Sequence, residues 1–129
     1  MKYLMTALIC LCMLLFAPNA AADANRVWEK GATIVTSYVC RDEKSIMKVV
    51  EADMKNEEEV RAKIYALASL NRCVGLPMPL PFYVLDLLVE YKDFRKVNTL
   101  VFSVAKVTEP DTHLGYVLAE GTYKNDKGI

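Results

Sequence analysis

The chain has 129 residues, one histidine and equal numbers of basic and acidic side chains, 16 of each, so its formal net charge is zero. This length suits one domain with a single core. No block of basic residues is present to bind nucleic acid or an anionic membrane surface, so neither partner is expected.

The first 22 residues have the pattern of a cleaved export signal. Lys2 gives a positively charged start, and residues 3–16 form an apolar run interrupted only by Thr6. The run is shorter than the roughly 20 residues that a membrane-spanning helix needs, so we expect cleavage rather than a stable membrane anchor. Small residues favour a cut after Ala22, with Ala24 as the alternative. The exported chain would then be periplasmic or extracellular.

A lipoprotein signal is the alternative interpretation of this segment, because Cys10 and Cys12 lie in it. The residues before them, Ile9 and Leu11, are larger than the small residue that such a signal requires. Cleavage without lipidation is therefore preferred. Removal of Lys2 leaves 15 basic beside 16 acidic side chains, so the exported chain stays nearly neutral.

Two cysteines, Cys40 and Cys73, remain after the signal is removed. In an oxidising compartment we expect them to form a disulfide. By chain entropy, a closed loop of about 34 residues stabilises the fold by about 3–4 kcal/mol. No metal site is predicted, because two thiols and the distant His113 do not complete a tetrahedral ligand set.

Residues 23–31 are mostly polar and predict a flexible lead-in, after which we place a single α+β domain at residues 32–123. Its first segment, ATIVTSYVC (32–40), is rich in β-branched residues and predicts a strand. Side chains alternate along a strand, so Ile34 and Tyr38 are expected to share a face.

Two helices are predicted next. Asp42 can cap the first, whose apolar residues recur at helical spacing. Asn56 can cap the second, with Glu59 three residues later, and Gly75 can end it. The acidic residues 57–59 would stabilise the first turn through the helix dipole. They point in different directions, so they do not predict a metal or glycosidase site.

The segment CVGLPMPLPF, residues 73–82, carries a proline at every second position. A polyproline ligand presents prolines three residues apart, whereas a period of two places side chains on one face of a strand. We expect Leu76, Met78, Leu80 and Phe82 to cover the core, with the prolines blocking one strand edge. An exposed apolar ridge used for binding is the alternative.

Three further strands and a disordered tail complete the predicted fold. Short connections make the strands antiparallel neighbours. We therefore predict the α+β class: a small antiparallel sheet of three to four strands packed with two consecutive helices and stapled by one disulfide. The predicted strands lie at 83–92, 99–107 and 114–119, and the tail at 124–129.

Few residues in the sequence suggest catalysis. His113 lies in a predicted turn without an evident partner to position it as a general base, and no serine has the G-x-S-x-G context of a hydrolase nucleophile. We predict no catalytic residue and no cofactor.

Phe94 is the best functional candidate in the sequence. It lies in the charged turn KDFRK beside Lys92, Arg95 and Lys96, where no core is implied. An exposed aromatic among basic residues is typical of a protein interface. The alternative is that Phe94 folds back onto the sheet.

Three functions follow from these observations. The preferred one is an exported, non-enzymatic module that binds another exported or envelope protein, as an inhibitor or accessory subunit. The alternative is a small-ligand carrier with a pocket between the helix pair and the sheet, near Tyr65, Phe82 and Tyr83. A small hydrolase is the least favoured.

Overall fold

The computed structural model describes residues 24–124. The predicted export signal and residues 125–129 of the predicted tail lie outside the described residues. Along the described chain, a two-residue strand and an eight-residue strand are followed by two helices, three strands of 20, nine and eight residues, and a final two-residue strand.

The first helix, α1 (Glu43–Asp53), begins where the sequence predicts. The Asp42 carboxylate accepts a hydrogen bond from the Ser45 amide at 2.7 Å. That bond satisfies an amide of the first turn that has no partner within the helix. Ile46 and Val49 are fully buried on the inner side of α1.

The second helix, α2 (Glu57–Ser69), is capped by Asn56, whose side-chain oxygen accepts from the Glu59 amide at 2.8 Å. It ends earlier than predicted. Asn71 adopts a left-handed conformation with φ of 58°, and the Arg72 amide donates to the Leu67 carbonyl at 2.8 Å. Asparagine tolerates this conformation better than most residues, so the helix closes at Asn71 and the predicted stop at Gly75 is wrong.

Four strands form an antiparallel sheet in the order β2–β3–β4–β5: β2 (Thr33–Cys40), β3 (Cys73–Lys92), β4 (Asn98–Lys106) and β5 (His113–Glu120). The 20-residue β3 pairs with β2 along its first half and with β4 along its second half. A single residue pair, Cys40 with Tyr116, joins β2 to β5 and closes the sheet.

Gly115 allows β5 to approach β2 at this closure. A β-carbon at position 115 would overlap the Cys40 carbonyl oxygen and would lie 2.6 Å from the Val39 side chain. Both atoms belong to a strand that is held in the sheet, so neither can move aside easily. The closed sheet therefore requires glycine at this position.

The segment predicted as a flexible lead-in is partly built into the fold. Its residues 27 and 28 form β1 (Val27–Trp28), which pairs in parallel with β6 (Thr122–Tyr123). Trp28 is fully buried, and its indole N–H donates to the Glu120 carbonyl at 2.8 Å. The prediction for 23–31 is wrong at residues 27 and 28, because one large aromatic side chain anchors a segment that is otherwise mostly polar.

Two groups of buried side chains lie on opposite faces of the sheet. Val101 and Leu118 belong to a buried cluster that includes side chains of both helices, whereas their neighbours Phe102 and Val117 belong with Trp28 to the cluster on the inner face. This division follows from the alternation of side chains along β4 and β5. The core therefore has a helix-facing layer and a layer enclosed by the sheet.

The alternation predicted for β2 is interrupted. Ile34 belongs to the inner layer and Tyr38 to the helix-facing layer, so the two do not share a face. The pairing of β2 with β3 shifts between Thr36 and Tyr38, and this irregularity changes which residues point inward.

The predicted disulfide is confirmed. Cys40 and Cys73 are bonded to each other and are buried, and they are paired residues across β2 and β3. The bond closes the loop that contains both helices. The predicted α+β fold is also confirmed, with four antiparallel strands and two consecutive helices.

Candidate functional site

One end of the closed sheet contains an apolar depression, called the end pocket below. Neighbouring strands are antiparallel, so β2 and β4 end here while β3 and β5 begin here. The end pocket has a volume of about 710 Å³, which lies within the roughly 300–1,000 Å³ of small-molecule sites. Its apolar lining includes Val39, Leu76, Leu80, Phe82, Val107 and Leu114.

The proline segment forms one wall of the end pocket. Thr36 pairs with Leu80 and Tyr38 with Gly75, so β3 advances five residues while β2 advances two. Residues 76–79 therefore bulge out of the ladder. Prolines suit this position because they cannot donate to a ladder and keep the preceding residue extended.

The predicted core-covering face of this segment is only partly present. Phe82 is buried and Leu76 packs against the inner core layer. Met78, however, is 61% exposed and Leu80 is 38% exposed. The bulge explains the difference, because a regular strand would have kept all four side chains on one face. Part of the predicted core-covering face is therefore an exposed apolar rim.

The end pocket has a firm floor and a solvent-exposed mouth. Val39 and Phe82 are buried members of the inner core layer, so the floor is continuous with the packed interior. Val74, Leu80 and Leu114 also line the pocket but are exposed. Exposed apolar side chains around a concave surface are typical of binding sites.

Two cations lie among the apolar lining residues. Arg41 directly follows β2, and Lys106 is the last residue of β4. Within residues 24–124, neither side chain has an ion-pair or hydrogen-bond partner. The other polar lining residue is Thr108. The end pocket thus combines an apolar interior with two uncompensated positive charges.

The structure does not bring the residues of the predicted pocket together. Tyr65 is 69% exposed and lines a separate groove of about 150 Å³ beside α2. Phe82 lines the end pocket, and Tyr83 lines neither depression. The carrier prediction therefore named one residue of the end pocket, while the other lining residues come from strand ends that the sequence pattern did not connect.

The predicted interface around Phe94 lies in the turn between β3 and β4. Phe94 is 37% exposed, and its amide donates to the Asp53 carbonyl at 3.0 Å. Lys92 and Lys96 are exposed. Arg95 is engaged within the protein, because its guanidinium contacts the carboxylates of Asp93 and Glu120.

Asp93 holds this turn in place. Its carboxylate accepts from the Arg95 amide at 2.8 Å and from the Val97 amide at 3.0 Å. Burial alone would raise the pKa of Asp93, but these hydrogen bonds and the Arg95 guanidinium outweigh it, so the pKa lies below its usual value. The ionised carboxylate therefore stabilises the turn.

A hydrogen bond between side chains joins α1 to β3. The Tyr91 hydroxyl donates to the Asp53 carboxylate at 2.5 Å. Burial raises the pKa of Asp53, although the Tyr91 hydrogen bond partly opposes this. Burial likewise raises the pKa of Tyr38, whose hydroxyl has no hydrogen-bond partner in the described chain. These residues lie far apart in the sequence, and no local pattern indicates their contact.

His113 is exposed, and its ring packs edge-on against Tyr116 with 5.0 Å between ring centres. Between residues 24 and 124, the His113 side chain makes no hydrogen bond or ion pair. The same part of the chain has no group of three or more metal-ligating side chains. Neither α1 nor α2, the helices found in this range, has the length and apolar character required to cross a membrane.

Comparisons with known proteins found no matching family model, no matching curated protein and no matching solved structure.

Proposed function

We propose that this protein is an exported binding protein for a small apolar ligand, which it holds in the end pocket. The observation that carries the proposal is the combination of about 710 Å³ of apolar space with a preformed floor at Val39 and Phe82. A preformed apolar cavity needs little ordering on binding, so most of the gain from burying the ligand appears as affinity.

Export is the second part of the proposal. The first 22 residues have the pattern of a signal peptide. The Cys40–Cys73 disulfide fits an oxidising compartment outside the cytoplasm. A stable exported domain with an apolar pocket suits a carrier that moves or sequesters ligands of low solubility.

The proposal is tested with N-phenyl-1-naphthylamine, a neutral dye that fluoresces in apolar surroundings, and with 1-alkanols that displace it. Each buried methylene contributes about 0.8 kcal/mol, so affinity should rise about fourfold per added carbon until the pocket is full. No dye binding, or displacement that does not depend on chain length, would contradict a small apolar ligand.

Two matched variants localise the site. Leu80→Asp places a charge on the exposed rim of the end pocket, whereas Val35→Asp places one at another exposed position, which does not line the pocket. Both side chains are exposed, so both variants should fold. We expect Leu80→Asp to weaken alkanol binding at least tenfold and Val35→Asp to leave it unchanged. Equal effects would place the dye elsewhere.

Binding of another exported protein is the second candidate function. Met78 and Leu80 form an exposed apolar rim, and Phe94 is a partly exposed aromatic among lysines. Phe94→Ala should remove a partner that uses the turn without changing the melting temperature, since the Asp53 contact is made by the backbone. If the variant does not fold, Phe94 belongs to the core, and the proposal that this turn binds another protein is contradicted.

A further inference from the structure

We infer that the ligand of the end pocket is a single-chain amphiphile with an anionic head, such as an alkyl carboxylate, whose tail lies on the apolar floor and whose head lies between Arg41 and Lys106. This inference rests on the proposed function and adds the chemical class of the ligand. The residues that carry it are the two cations of the pocket lining.

The topology places both cations at the same end of the molecule. Arg41 directly follows the last residue of β2, and its amide donates to the Arg72 carbonyl at 2.8 Å, which fixes its backbone beside the disulfide. Lys106 ends β4, and its backbone pairs with Phe82 of the pocket floor. Both side chains therefore start from rigid strand ends.

Neighbouring acidic residues do not neutralise these charges. Asp42, next to Arg41, accepts from the Ser45 amide and pairs with Arg72 at 3.4 Å. Glu109, in the turn after β4, is exposed and does not line the pocket. Two unpaired cations beside an apolar cavity are complementary to a ligand that has one anionic end and one apolar end.

The anionic head should contribute modestly, because both cations are exposed and solvent screens them. Single exposed ion pairs are worth about 0.2–1 kcal/mol. Two of them therefore predict that dodecanoate binds between about twofold and about thirtyfold more tightly than 1-dodecanol at low salt, and about eightfold for pairs in the middle of that range. The preference should shrink at 1 M salt, where the screening length is about 3 Å.

The test compares the two probes on the purified protein and three variants, by displacement of N-phenyl-1-naphthylamine below the critical micelle concentrations. Arg41→Gln and Lys106→Gln should each reduce the ratio of dodecanoate affinity to dodecanol affinity about threefold. Lys48→Gln, an exposed cation on α1 that does not line the pocket, should leave both unchanged.

The outcomes separate the two proposals. If neither probe binds, the proposed carrier function fails. If dodecanol binds with the expected dependence on chain length but neither dodecanoate nor dodecyl phosphate binds more tightly, only the anionic head is refuted. An equal loss of preference in Lys48→Gln would also refute it, by showing a general charge effect. Dodecyl phosphate, tested in parallel, distinguishes a carboxylate from a phosphate head, and tighter binding of either anion supports the inference.

Discussion

Trp28 provides the sharpest test of the structure, because the sequence places it in a flexible segment and the fold buries it completely. Its indole N–H donates to the Glu120 carbonyl, and its ring packs against Phe102 with 5.7 Å between ring centres. We predict that Trp28→Phe destabilises the protein although it retains an aromatic ring.

The expected magnitude is the sum of two losses. Removing a buried hydrogen bond costs about 1–2 kcal/mol. A ring smaller by roughly 40 Å³ leaves a cavity that costs about 1 kcal/mol. The free energy of unfolding should therefore fall by about 2–3 kcal/mol. Urea denaturation followed by far-ultraviolet circular dichroism measures it, since this signal does not depend on tryptophan.

Val27→Ala is the matched control for this experiment. Val27 precedes Trp28 in β1 but is exposed, so the variant should change stability by less than about 0.5 kcal/mol. Because Trp28 is the only tryptophan, the fluorescence maximum of the unmodified protein gives a second readout and should be blue-shifted. A loss below about 0.5 kcal/mol in Trp28→Phe, or emission typical of exposed indole, would refute the burial of this segment.

Three further predictions concern the disulfide, a helix cap and stability in acid. The double variant Cys40→Ser/Cys73→Ser should unfold at lower urea, with a loss of about 3–4 kcal/mol; an unchanged midpoint would show that the bond does not constrain the unfolded chain. Asn56→Ala should cost about 1 kcal/mol by the same assay, because it removes the cap of α2; a neutral result would contradict that cap. Asp93 has a lowered pKa, so its stabilisation is complete above the unfolded value of about 3.9 and is lost as the pH falls through its folded value. Asp93→Asn should therefore lower stability at pH 7 and weaken the loss of stability below about pH 4, and an unchanged acid profile would refute the role of that carboxylate.

The features that the sequence predicted correctly depend on residues close together in the chain or on simple elimination. Each helix cap joins residues three positions apart, Asp42 to Ser45 and Asn56 to Glu59. The disulfide followed from the two cysteines left after the predicted signal is removed. Local hydrogen bonding and sulfur pairing have few alternatives, so the pattern determines the outcome.

The end pocket could not be predicted in the same way. Its floor combines Val39 with Phe82, and Leu114 comes from a third strand. Their meeting depends on a shift in register between β2 and β3, and an alternating pattern fits the regular register equally well. The prolines at every second position were the one sequence feature that indicated an irregular pairing of β3 with β2, because proline cannot donate a backbone hydrogen bond to a neighbouring strand.

Gly115 has a consequence for how this protein can diverge. A β-carbon there would collide with the backbone of the neighbouring strand, so descendants that keep the closed sheet must keep the glycine. The same holds for the two bonded cysteines wherever the staple is retained. Three invariant positions would then persist after the surrounding sequence has diverged, and their order and spacing offer a way to recognise distant homologues.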